Sequence, residues 1–388
     1  MAAETILVIT AALLAWSYLI YPAAVILAAN VKKRRAPSPA VVSASLPTVT
    51  VVMSLHNEKE VAEKKIRSML ASEYPAEKLD FIIGSDGSDD GTGAVITAVA
   101  ATNPHIQLII NAERKGKAAM LNELASKAKG DILVVTDANV MFTPSVVRQM
   151  ADGFADPRTG LCDATVRTLS AADMGITRQE IMYSRFETAL KRAEGNLWGA
   201  MPGPYGGCYA VRRSLFPRLP DNTLVDDLFV GLSVLKQNYR AFNIAEAVVY
   251  EDTQPDMIEQ FRRRTRVAAG SFQNLFRFGP FISGRPGVVF AFLSHKIMRW
   301  LTPLLLVLFF MTTVILSGRS DFYFCLTAIQ LIFIILSALD IALDRRGKKL
   351  LFQRYVTQFL LMNAALTAGF VKVVIGIENG IWEPTKRV

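Results

Sequence analysis

Cysteine is scarce in this chain. Cys162, Cys208 and Cys325 stand far apart, with no CxxC pair and no metal-ligand spacing. A disulfide framework, a zinc cluster and a dithiol redox motif are thereby excluded, and a reduced compartment fits. Histidine is as scarce: His56, His105 and His295 share no spacing, so none is read as a metal ligand. There is no internal repeat and no low-complexity tract. Acidic residues are outnumbered 34 to 43 by lysine and arginine, for a net charge of +9. That excess clusters beside apolar runs, where membrane-leaflet topology accounts for it, so nucleic acid is not expected as a partner. What abounds is apolar: 51% of the residues, with a mean hydropathy of +0.29. Values that high direct attention to membrane segments first.

Residues 6–30 form an almost unbroken apolar run, long enough to span a bilayer. The basic run Lys32-Lys33-Arg34-Arg35 follows it rather than precedes it, which reads as an anchor and not a cleaved signal. By the positive-inside rule the chain beyond residue 32 is cytoplasmic. The expected organisation is a transmembrane helix over 1–31, a basic, Pro/Ser-rich linker over 32–47, and a soluble α/β domain over 48–277. Interfacial helices follow over 278–299, then a C-terminal membrane region over 300–388. In that last region residues 300–317 and 322–343 predict a transmembrane hairpin, turned by Gly318-Arg319-Ser320-Asp321. A third apolar stretch, 355–377, is interrupted by Asn363 and Lys372. Either it spans, or it is re-entrant or interfacial. The polar interruptions and the later Lys386-Arg387 favour the second, with a cytoplasmic C-terminus.

Residues 48–277 read as an α/β domain. Strand-like runs at 48–55, 80–84, 106–110 and 132–136 alternate with helical patterns at 61–70 and 117–129, which predicts parallel strands with crossover helices. Ligands bind such sheets beyond the carboxyl ends of the strands. Three acidic clusters follow strands: Asn57-Glu58, Asp86-Gly87-Ser88-Asp89-Asp90-Gly91-Thr92, and Asp137-Ala138-Asn139. Each alone is ordinary turn chemistry; their recurrence at strand ends is not. Asp137 is placed to ligate a divalent cation on two phosphates, which needs hard oxygen ligands. Asp86 is placed to hold a base or ribose. Gly116-Lys117 opens a helix among cations, as a phosphate-approaching turn does, but lacks the spacing of a Walker loop.

This ordered set resembles the family 2 glycosyltransferases, which have the GT-A fold, a Rossmann-like and mostly parallel sheet. Downstream residues add to the resemblance. Gly206-Gly207-Cys208-Tyr209-Ala210-Val211-Arg212-Arg213 is similar to the family's acceptor-side turn and strand. Val225-Asp226-Asp227 stands where processive members carry a Thr-Glu-Asp motif, and Gln260-Phe261-Arg262-Arg263-Arg264 where they carry Gln-x-x-Arg-Trp. The C-terminal Trp382, Thr385 and Arg387 resemble a Trp…Thr-x-Arg element of membrane synthases.

The resemblance implies a role for each. Glu58 and Asp86 contact the nucleoside, and Lys117 approaches the phosphates. Asp137, with Asn139, binds Mg²⁺ or Mn²⁺. Asp227, beside Asp226, is the general base, although two acids opening a helix also cap it. Arg263 neutralises the leaving diphosphate, and Gln260, Arg264, Trp382, Thr385 and Arg387 complete the donor site. Three departures stand out: Asn139 replaces the second acid of Asp-x-Asp, Arg264 replaces the tryptophan platform, and Asp226 replaces a glutamate. Trp198 or Trp382 are the substitute platforms.

The expected function is inverting transfer from a UDP-sugar to a growing polysaccharide, by a multi-pass enzyme of the inner membrane with its catalytic domain in the cytoplasm. The alternatives are single-sugar transfer to a polyprenyl phosphate or other lipid acceptor, and a non-catalytic nucleotide-sensing module. The presence of both Asp137 and Asp227 argues against the module.

Overall fold

The computed structural model describes residues 1–31, 46–168, 175–251, 257–280, 282–344 and 353–377. The two basic runs on which the expected topology leans, 32–35 and 345–349, lie outside these, as do Trp382, Thr385 and Arg387.

One eight-stranded sheet organises the catalytic part. Its strands are β1 (Val49–Leu55), β2 (Leu79–Asp86), β3 (Ile106–Asn111), β4 (Ile132–Thr136), β5 (Val140–Phe142), β6 (Thr159–Thr168), β7 (Cys208–Arg212) and β8 (Arg240–Glu251). The spatial order is β3-β2-β1-β4-β7-β6-β8-β5. The expected parallel character holds over β3-β2-β1-β4, with Val49 against Leu79 on one side and Ile132 on the other. Beyond β4 the sheet becomes mixed. β7 runs antiparallel to β4 and β6, β8 is parallel to β6, and β5 is antiparallel to β8.

The helices in chain order are α1 (Ala2–Val31), α2 (Lys59–Leu70), α3 (Thr92–Ala100), α4 (Lys117–Lys127), α5 (Val146–Asp152), α6 (Gly175–Trp198) and α7 (Asp226–Lys236), followed by α8 (Met257–Phe278), α9 (Pro286–Trp300), α10 (Thr302–Leu316), α11 (Asp321–Asp344) and α12 (Arg354–Ile375). Period-two alternation along β1 divides its side chains between two cores. Val52 joins Leu121 and Leu124 of α4 on one face, while Val51 and Met53 join Ile66 of α2 and Ile96 of α3 on the other. Strands buried on both faces need this near-continuous apolar sequence.

Helices α1, α11 and α12 are each long and apolar enough to cross a membrane, and α9 with α10 qualifies as a pair bent by 58°. Helix α1 seats Tyr21, Val25 and Ala29 on Leu190 and Ala193 of α6. Helix α12 lies tightly on α8: a Cβ on Gly369 would come within 2.6 Å of the Ala268 Cβ. Both ends of α12 reach the catalytic part. The Tyr355 hydroxyl donates to Met182 Sδ of α6 at 3.7 Å, and the Ile377 carbonyl accepts from Asn222 Nδ2 at 3.4 Å. Asn363, one of the polar interruptions, is buried and faces a cavity between α12 and the catalytic part.

Candidate active site

The loops beyond β1, β2 and β4 are sewn together by their own polar side chains. Asn57, with φ +54°, exchanges hydrogen bonds with Asp89: its Nδ2 donates to Oδ1 at 2.8 Å, and its Oδ1 accepts from the Asp89 amide at 3.0 Å. The Glu58 amide donates to Thr92 Oγ1 at 2.9 Å, and its carbonyl caps α2 by accepting from Ala62 at 2.9 Å. Asp86 is nearly buried at the end of β2. Its two carboxylate oxygens accept the amides of Lys115 and Gly116, each at 2.8 Å. Asp86 therefore holds the turn that launches α4 and aims Lys117.

Lys117 is the centre of the site. Its Nζ donates to Asp137 Oδ1 at 2.9 Å and pairs with Asp226 Oδ1 at 3.1 Å. Residues at a strand end, a helix start and another helix start, separated by more than a hundred positions, thus meet on one ammonium. Burial works against that ammonium, but Asp137 and Asp226 outweigh it and raise its pKa. Burial pushes the Asp137 carboxyl up in turn. The Lys117 charge, with Arg266 and Arg263 behind it, holds it below the usual carboxylate range. Tyr209 donates to the other oxygen of Asp226 at 3.3 Å.

Asp227 stands one residue on and has a different environment. Burial first, then the charge of Asp226, push its carboxyl up to about 6, against the pull of Lys117. A raised carboxyl beside a lowered one is the division of labour expected between a proton acceptor and a charge-holding ligand. The glycine loop before β7 packs directly on Asp227, and Asp163 fixes that loop. Its Oδ2 accepts the Tyr205 amide at 2.7 Å and the Lys191 ammonium at 3.1 Å.

A divalent cation fits these residues. Asp137 is ionised, and a cation, the Lys117 ammonium, already sits against it. Asn139 donates its amide nitrogen to Glu251 Oε1 at 3.0 Å, so its oxygen is the atom that could face a cation. No group of three or more His, Cys, Asp or Glu side chains comes together as a metal site among the described residues. One carboxylate with a neutral oxygen and the substrate's phosphates is a normal complement for Mg²⁺.

Sequence reasoning missed Glu251. It closes β8 just as the other acids close their strands, and strand 240–251 was the signal. Its carboxylate gathers Asn139, the Tyr205 hydroxyl at 2.7 Å and Arg263 at 3.4 Å. Helix α8 carries the basic motif along one side. Gln260 is buried, Arg263 pairs with Glu251, and Arg264 lies over the Tyr183 ring at 5.9 Å. Arg266, two residues beyond the motif, also contributes to the field on Asp137.

From Asp227 a cavity of about 560 Å³ opens toward the apolar helices. Its walls include Lys191 of α6, Arg264 and Val267 of α8, Trp300, and Phe359 and Met362 of α12. Trp198, a candidate sugar platform, is instead packed on Gly287 and Phe290. Among the described residues, Trp300 is the tryptophan on the cavity wall.

Residues 50–219 match the profile of the glycosyl transferase family 2. The chain carries a family 2 glycosyltransferase domain. Over 247 residues it is 26% identical to the probable glycosyltransferase YdaM of Bacillus subtilis, a match that covers 60% of this chain and 57% of the relative. It is 25% identical over 236 residues to a poly-beta-1,6-N-acetyl-D-glucosamine synthase of Staphylococcus aureus, covering 60% and 56%. It is 23% identical over 247 residues to the beta-monoglucosyldiacylglycerol synthase of Synechocystis, covering 62% and 51%. The chain thus spans about half the length of the curated relatives it matches. The fold extends further. The mannosyltransferase PcManGT of Pyrobaculum calidifontis, solved with GDP-Man and Mn²⁺, superposes with a TM-score of 0.71 at 23% identity, over 95% of this chain and 99% of that one. The glycosyltransferase domain therefore has the GT-A fold expected from its motifs, and the apolar helices belong to the shared architecture.

Proposed function

We propose that this chain transfers a sugar, with inversion, from a nucleotide sugar to a hydroxyl of a membrane-held acceptor. The observation that carries this reading is the position of Asp227, at the junction of the Lys117–Asp137 cluster and the cavity. Its carboxyl, pushed up to about 6, is ionised at neutral pH yet basic enough to take a hydroxyl proton. On the donor side Lys117 and the arginines of α8 neutralise the diphosphate as it leaves. A divalent cation held by Asp137 and the Asn139 oxygen would supply further charge on that diphosphate. Asp226 keeps Lys117 in line, and Asp86 fixes the turn from which Lys117 springs. UDP is the nucleotide the sequence motifs suggest; the base contacts of Glu58 and Asp86 are part of the same proposal.

The acceptor reading favoured here is a lipid-linked one. Arg264 replaces the tryptophan of processive relatives, and the cavity that Asp227 lines is also lined by Phe359, Met362 and Leu366 of α12. Extension of a polysaccharide is the second reading, favoured by Trp300 in the same lining. The enzyme would work at the cytoplasmic face of the inner membrane, with α1, α10 and α11 spanning it. α12, held to the catalytic part at both ends, would lie along the surface.

The test incubates the full-length chain in membranes with radiolabelled UDP- and GDP-sugars and Mg²⁺ or Mn²⁺, then sizes the product. Label in a low-molecular-weight, organic-extractable product is expected. A product retained as high polymer moves the assignment to the second reading. Absence of transfer from every donor, with wild type and Asp227→Asn alike, removes the proposal.

A further inference from the structure

The cavity lining includes a cation that sugar transfer as described above does not use. Arg299 is only 8% exposed. Its Nη1 donates to Glu187 Oε2 at 2.7 Å, and its guanidinium carbon lies 5.7 Å from the Tyr18 ring and 5.8 Å from the Phe186 ring. Its Nε and Nη2 are buried with no hydrogen-bond partner among the described residues. Those two N–H groups form one edge of the guanidinium, the fork that grips two oxygens of an oxyanion side by side. A buried donor pair left unmade is costly, which marks the edge as awaiting an acceptor.

Neighbouring charges point the same way. Lys296 Nζ lies 2.7 Å and His295 Nε2 2.9 Å from Glu187 Oε1, so three basic side chains share one carboxylate. Burial pushes the Glu187 carboxyl up, but His295, Lys296 and Arg299 hold it well below the usual range. Glu187 therefore stays a single negative charge. The second nitrogen of His295 is taken by Glu194, which leaves Lys296 and Arg299 as the cations of this group that line the cavity.

The glycine loop connects this group to Asp227. A Cβ on Gly203 would lie 3.4 Å from Lys296 Nζ, and one on Gly206 would lie 2.6 Å from Asp227 Oδ2. Lys296 and Asp227 thus flank one short loop that lines the cavity.

We propose that Arg299 and Lys296 form an anion subsite of the acceptor cavity, which takes the phosphate of a phosphate-bearing amphiphile. The tail would run along Phe359, Met362 and Leu366 of α12, with the acceptor hydroxyl at Asp227. This rests on the lipid-acceptor reading above.

The test uses the full chain in phosphatidylcholine nanodiscs and three probes: dodecyl phosphate, dodecanol and inorganic phosphate. Wild type should bind dodecyl phosphate at least tenfold more tightly than either of the others. Arg299→Gln should lose at least tenfold for dodecyl phosphate and nothing for dodecanol, with nucleotide binding unchanged; Lys296→Gln should lose less. Equal binding of dodecyl phosphate and dodecanol by wild type overturns the subsite, and needs no variant to fold. Inorganic phosphate that binds as tightly as dodecyl phosphate overturns the amphiphile. Unchanged dodecyl phosphate affinity in a nucleotide-binding Arg299→Gln overturns the role of Arg299. Selective dodecyl phosphate binding without sugar transfer to any acceptor would instead support the subsite and sink only the catalytic reading.

Discussion

Gly206 packs directly against Asp227: a Cβ at 206 would lie 2.6 Å from the carboxylate's Oδ2. Ordinary contact begins near 3.5 Å, so in Gly206→Ala the carboxylate must retreat by roughly 1 Å. Misplacement of a reacting group by that distance costs roughly 10²-fold. The variant should lose about that factor in kcat while donor KM stays near wild type. Equal losses in both would mean that the loop positions the donor, not the base.

The Asp227 carboxyl, raised to about 6, gives the acidic limb of the rate profile its sign. A base acts in its deprotonated form, so kcat/KM should fall tenfold per pH unit below about 6 and level off above it. Asp227→Asn should lose roughly 10²–10⁴-fold in rate, the usual worth of a general base, with nucleotide binding retained. A pH profile flat from 5 to 8 would remove Asp227 from proton transfer.

Asn139 and Glu251 together make a prediction about the acid that the Asp-x-Asp position lacks. Restoring the acid of Asp-x-Asp by Asn139→Asp replaces a 3.0 Å hydrogen bond with two facing carboxylates. In EDTA that variant should be about 1–3 kcal/mol less stable than wild type, by the cost of an unmade, like-charged pair. Added Mn²⁺, or Glu251→Gln, should recover the loss. Asp137→Ala, in contrast, should weaken both metal and nucleotide sugar, and no cation should rescue it. Thermal unfolding with and without Mn²⁺ reads all three.

Local physics explains which parts were legible beforehand. β1, β2, β3 and β4 are apolar runs bounded by turn residues, and the acids at their ends stand out in one dimension. Asp86 and Asp137 could therefore be named from the chain alone, Lys117 from its glycine at a helix start, and Asp227 from the family resemblance. Their partners could not. Lys117 meets Asp226 across more than a hundred residues, which only the antiparallel return of β7 brings about. Glu251 ends a strand whose pattern is weaker, and His295, Lys296 and Arg299 sit in a stretch whose hydrophobicity reads as membrane surface. Their shared anchor, Glu187, lies on a different helix, and no periodicity links helices so far apart.

Helix α12 bears on the topology expected of the C-terminus. A spanning helix beginning on the catalytic side would carry its far end away from the sheet by about 1.5 Å per residue, some thirty ångströms in all. Here Tyr355 at one end meets Met182, and Ile377 at the other meets Asn222, both in the catalytic part. Between them Gly369 presses on α8, and Asn363 turns into the cavity instead of toward lipid. Polar residues inside a true span cost energy unless they face protein or water, and along the surface that demand is already met. Trp382, Thr385 and Arg387 follow Ile377 by five, eight and ten residues, too few for a further helical crossing, so they should remain on the catalytic side. The measurement replaces the exposed Cys325 by serine, keeps the buried Cys162 and Cys208, and introduces Lys386→Cys. A membrane-impermeant thiol reagent should label position 386 only after the cells are permeabilised. Labelling on intact cells would make α12 a third crossing after the catalytic domain and take Trp382 out of the active site.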